Sequence, residues 1–104
     1  MNEPRLETLR RMVRDRPQDP RLRFGLAVEL LNRGETREGA EALKAYLAMA
    51  EDEGNAWGRL GSALAELGEV EEAKGAYARG IEIAHRRGHG ALAGELEEAL
   101  EDLE

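Results

Sequence analysis

Apolar residues recur along this chain at the spacing of a helix face, in six separate stretches. Leu6, Leu9, Met12 and Val13 make the first stripe and predict a helix over about Pro4 to Arg16, with Pro4 in its first turn. Pro17-Gln18-Asp19-Pro20 ends it, Asp19 being placed to cap the next helix and Pro20 to open it. That second helix runs to about Arg33, where Gly34 supplies the left-handed residue of a helix end. A third is expected over Thr36 to Asp52, carrying Ala40, Leu43, Leu47 and Ala50 on one side, and Gly54 breaks it. Asn55 to Leu67 forms a fourth, stopped by Gly68, and Val70 to about Arg87 a fifth. Beyond Gly88-His89-Gly90 the sixth starts at Ala91 and keeps Leu92, Leu96, Ala99, Leu100 and Leu103 on one face. Strand-type alternation and Asn-Gly hairpin signals are both missing, so the expected class is all-α.

The stripes also repeat at long range. Pro17, Glu51 and His85 stand thirty-four residues apart, as do Leu9, Leu43 and Tyr77, and Val13, Leu47 and Ile81. Leu26 pairs with Leu60, Leu30 with Leu64, and Gly34-Glu35 with Gly68-Glu69 at the same step. A fixed period of this length marks helix pairs that stack as a solenoid, each burying its apolar face against a neighbour. Such an architecture presents surface to other proteins rather than a reaction centre.

The fourth and fifth helices carry a more specific pattern. Trp57, Leu60 and Gly61, then Ala73 and Tyr77, with Leu64 in the remaining aromatic slot, resemble the tetratricopeptide repeat. In the second and third helices Leu26, Ala27 and Leu30 fit, Gly39 takes the small slot and Leu43 the aromatic one, while Arg23 replaces the tryptophan. The first helix resembles a lone second helix of a repeat, with Arg5 in its small slot. The resemblance implies an α-α superhelix, a right-handed solenoid in one domain over residues 1–104. It would comprise a half repeat (4–17), repeats over 20–53 and 54–87, and a polar-faced capping helix over 90–104. Leu26, Leu30, Gly34, Trp57, Leu60, Gly61, Gly68, Ala73 and Tyr77 are then structural, the small residues allowing close helix crossing and Gly68 a tight turn.

In proteins of this kind the first helices of successive pairs line a concave groove that holds a peptide or a helix. Carried over slot by slot, the groove residues are Arg21, Phe24, Val28, Leu31 and Asn32 from the second helix. Asn55, Ser62 and Glu66 follow from the fourth, with Gly58 and Ala65 as open floor. Phe24, Val28 and Leu31 lie opposite Leu26 and Leu30, so the second helix is apolar nearly all round. Such a stripe serves either as covered core or as a partner surface, and the sequence leaves both readings open. Family members that clamp a chaperone's C-terminal carboxylate use Lys and Asn in these slots; Phe24, Val28, Gly58 and Ser62 do not support that activity.

Charge narrows the partners. The net charge is −7, yet residues 1–33 carry eight arginines against five acids. An acidic balance repels phosphate backbones, so the expected partner is another protein and not nucleic acid. The acids Glu95, Glu97, Glu98, Glu101, Asp102 and Glu104 form either a solvated outer face or a dock for a basic partner, including Arg10, Arg11 and Arg14 of a second copy. A self-assembling structural protein, joined through its end helices, is therefore the alternative to an adaptor. Residues 1–6 show no apolar leader core and no stretch is long enough to span a bilayer, which points to a cytoplasmic, membrane-free protein.

Chemistry is hard to build from these residues. The chain has no cysteine, and Ser62 is its only serine. No glycine-rich phosphate loop follows a strand, so a non-enzymatic role is expected. Glu82, His85 and His89 have a spacing that grips metals on helices, but Gly88 interrupts the turn, and the pair suits a helix C-terminus better. Glu51-Asp52-Glu53 lacks the alternation of a calcium loop and suits the N-terminus of the fourth helix. No cofactor or metal is expected.

Overall fold

The computed structural model describes residues 3–104, so Met1 and Asn2, part of the leader reading, lie outside the described residues. The chain divides into two compact units, Met1–Ala50 and Glu51–Glu104. The first holds α1 (Glu3–Asp15), α2 (Pro20–Asn32) and α3 (Thr36–Leu47); the second holds α4 (Asn55–Glu66), α5 (Val70–Arg86) and α6 (Gly90–Asp102). Every regular element among the described residues is helical, as the apolar periodicity predicts.

Helix ends follow from local chemistry. Gly34 and Gly68 adopt φ near +80°, which lets Glu35 N–H reach Leu30 O and Glu69 N–H reach Leu64 O, each at 2.9 Å. These closures turn α2 back on α3 and α4 back on α5. Asp19 caps α2, its Oδ1 accepting from Arg21 N at 3.0 Å, with Pro20 at the first helical position.

One boundary departs from the expectation. The third helix stops at Leu47 instead of reaching Asp52. Asp52 is needed elsewhere: its Oδ2 accepts from Gly54 N at 2.9 Å and Ala56 N at 2.7 Å. Gly54, the residue at the N-cap of α4, has φ +118° and no side chain to offer, so the carboxylate two residues earlier satisfies the orphan amides. Asp52 is buried by this role, at 8% exposure.

In the first unit Leu6, Ala27, Leu30, Ala40 and Leu43 form the buried core. Arg10 forks onto the Glu38 carboxylate, with Nη2 3.2 Å from Oε1, and ties α1 to α3. The Arg10 guanidinium holds the Glu38 carboxyl below the usual carboxylate range. Arg5 Nε donates to Glu29 Oε1 at 2.9 Å, and Arg23 Nε to Pro17 O at 2.9 Å. Arginine thus replaces the motif's tryptophan by pinning the α1–α2 loop.

In the second unit Leu60, Ala63, Leu64, Ala73, Tyr77, Ile83, Ala84, Ala93 and Leu96 are buried. A methyl group on Gly61 would fall 2.8 Å from Tyr77 Cδ1, so the tyrosine ring lies directly on that glycine. The ring therefore packs within its own helix pair.

Candidate functional site

The predicted contact residues fall on one helix of each unit. On α2, Arg21 and Asn32 are exposed, while Phe24, Val28 and Leu31 are each half-buried. For Phe24 and Leu31 the cover comes from α3. Phe24 packs on Tyr46 with ring centroids 5.0 Å apart and planes tilted by 51°. Leu31 lies over Gly39, where a Cβ would meet Leu31 Cδ2 at 2.6 Å. The apolar stripe is thus neither sealed core nor bare surface. Arg21 turns back to Asp19, with Nη2 3.4 Å from Oδ2, and this contact holds the Asp19 carboxyl below its ordinary range.

On α4, Asn55, Ser62 and Glu66 are exposed and Ala65 is half-buried. Gly58 departs from its expected place as open floor. It is buried, and a Cβ there would strike Leu96 Cδ2 at 2.6 Å. Gly80 of α5 faces the same side chain, with Leu96 Cδ1 2.8 Å from the place of its Cβ. Two glycines on neighbouring helices form a notch, and α6 fills it with one leucine.

Each unit also carries a cleft that sequence reasoning missed. In the first, about 240 Å³ opens among Val13, Leu26, Leu30 and Ala42, edged by Arg23, Glu38 and Glu41. In the second, a shallower hollow of about 510 Å³ lies among Glu53, Asn55, His89, Leu92 and Glu95 at the start of α6. Only Asn55 among the predicted contact residues lines it. His89 is the N-cap residue of α6, and His85 Nε2 lies 3.1 Å from Glu97 Oε2. Glu82 pairs with Arg79 at 2.9 Å, so Glu82, His85 and His89 are not drawn to one point. No cluster of three or more metal-ligating side chains occurs among the described residues, and no described helix is long and apolar enough to cross a membrane.

Two helical hairpins closed by left-handed glycines, the second with Gly61 under the Tyr77 ring, define an all-α helical-repeat protein. The repeat is tetratricopeptide-like: the chain is similar to the solution NMR structure of a tetratricopeptide repeat domain protein from Salinibacter ruber. The TM-score is 0.74 at 27% identity, over 85% of this chain and 89% of the other. No protein-family model matches the sequence, and neither does any curated protein.

Proposed function

We propose that this chain is a non-enzymatic protein-interaction scaffold whose units take peptides or helices of another protein, the first unit at the exposed positions of α2 and the second at those of α4. The observation that supports this most directly is the solvent exposure of Arg21, Asn32, Asn55, Ser62 and Glu66 at these helix slots. A tetratricopeptide-like fold leaves such slots open for partners. The apolar stripe adds grip. Phe24, Val28 and Leu31 brought wholly out of water would contribute about 5–8 kcal/mol, and each is already half-buried. Association costs about 4–15 kcal/mol in lost freedom, so this stripe alone supports weak binding. Hydrogen bonds and ion pairs from Arg21, Asn32 and Asn55 must supply the rest and set specificity.

Panning a displayed peptide library against the protein, followed by NMR titration of the best binders, tests the proposal. Amide shifts should concentrate on α2 and α4. Arg21→Glu combined with Ser62→Arg should weaken binding about tenfold, which corresponds to about 1.4 kcal/mol, with unchanged helical circular dichroism. Binders whose shifts map elsewhere, and whose affinity ignores both substitutions, would refute it.

A further inference from the structure

From the two end helices we infer that the protein associates with a second copy of itself, α6 of one molecule laid antiparallel on α1 of the next. The inference is independent of the α2 and α4 faces. On α6, Ala91, Glu95, Glu98 and Asp102 follow i, i+4, i+7 and i+11 and make one exposed acidic stripe. On α1 and just past its end, Arg5, Leu9, Met12 and Arg16 follow the same steps. That stripe is cationic at both ends and apolar between, with Arg5 70% and Met12 39% exposed.

The thirty-four-residue period says what these stripes are shaped for. One period before the α6 stripe stand Trp57, Gly61, Leu64 and Gly68; two periods after the α1 stripe stand Ala73, Tyr77, Gly80 and Ala84. Gly68 is the turn of the α4–α5 hairpin; across that hairpin Gly61 lies under Tyr77, the place of a Gly80 Cβ is 3.1 Å from Trp57 Cβ, and Ala84 faces Gly54. Mapped back, Ala91 receives Met12, and Glu95 lies beside Leu9. Glu98 lies opposite Arg5 with Asp102 one turn beyond it, and Arg16 falls beside Gly88, about two helical turns from Glu95. α6 and α1 thus present the two mating faces of one hairpin, with opposite charges in place of the apolar interior.

The charges are available. Arg16, Glu95, Glu98 and Asp102 have no ion-pair partner among the described residues, and Arg5 holds only the exposed contact to Glu29. Residues 51–104 carry fourteen acids against five bases, whereas residues 1–50 carry ten bases against eight acids. Copies therefore attract in this orientation, and like ends repel. The interface is heterologous, each copy carrying both halves of it.

Sedimentation of the full 104-residue chain at low and high salt tests this. At about 20 mM salt the average mass should rise with concentration, and at about 500 mM the association should weaken roughly tenfold or more, because exposed charges are screened. Arg5→Glu with Arg16→Glu makes both ends acidic; Glu95→Arg with Glu98→Arg makes both ends basic. Each variant alone should sediment as a monomer, and an equimolar mixture should regain association. Glutamine at the same four positions gives a milder pair if a reversal costs helicity. A wild-type chain that stays monomeric at about millimolar concentration and low salt would overturn the proposal. So would association that survives in either reversed variant alone.

Discussion

The hairpins α2–α3 and α4–α5 solve one packing problem in opposite ways. In the first unit the slot pair Phe24 and Tyr46 is filled by two aromatic rings in contact. Thirty-four residues later the same slots hold Gly58 and Gly80, and Leu96 of α6 occupies the space. A second exchange runs beside it. Ala27 and Leu43, both fully buried, become Gly61 and Tyr77, the smaller residue making room for the larger ring. The repeat thus preserves filled volume at a pair of slots and leaves the division between them free. The consequence differs between the units: Phe24 and Tyr46 fill their slot within one hairpin, whereas the two glycines make their hairpin depend on a third helix.

The largest expected effect tests that dependence. Leu96→Ala empties a buried notch that glycines cannot close and should cost about 3 kcal/mol in urea unfolding. Amide exchange in α6 should accelerate more than in α4. A loss under about 1 kcal/mol would mean that the notch collapses and the contrast is superficial. Next comes Gly61→Ala, whose methyl meets the Tyr77 ring and should cost about 2 kcal/mol. Adding Tyr77→Leu recreates the first unit's Ala27/Leu43 pair and should return much of that loss; strict additivity of the two changes would break the equivalence.

A smaller effect belongs to the aromatic pair. A double-mutant cycle on Phe24→Ala and Tyr46→Ala should give a coupling of about 1 kcal/mol. No coupling would show that the rings share space without supporting each other. The mildest expected effect is in pH. Folding lowers the pKa of both Asp19 and Glu38, so each stabilises the first unit above the ordinary carboxylate range, and that support is lost as pH falls through the lowered values. NMR titration of the two carboxyls should place both midpoints below unfolded reference values. Ordinary midpoints would remove Arg21 and Arg10 as the causes.

The helices were legible wherever a residue's own backbone preference decided them. Gly34, Gly68 and Pro20 act on their immediate neighbours, and the α2, α4 and α5 boundaries follow within a residue or two. The end of α3 was not legible. Ala48-Met49-Ala50-Glu51 favours helix locally, but Asp52 must stay outside it to cap α4. Likewise the motif placed Gly61 and Tyr77 as structural residues without showing that one lies beneath the other. Gly58 misled for a related reason: a glycine met in sequence looks like vacant floor, and the leucine that fills it comes thirty-eight residues later.

The keyed leucine restricts how this protein can be lengthened. Any helix spliced in where α6 now stands would have to bring a branched aliphatic side chain to the seat between Gly58 and Gly80. A graft with serine there, as α4 itself has at Ser62 in the matching slot, would leave a dry hole behind the junction. Growth by simple duplication of residues 54–87 is therefore blocked at this joint until one of the two glycines is changed as well.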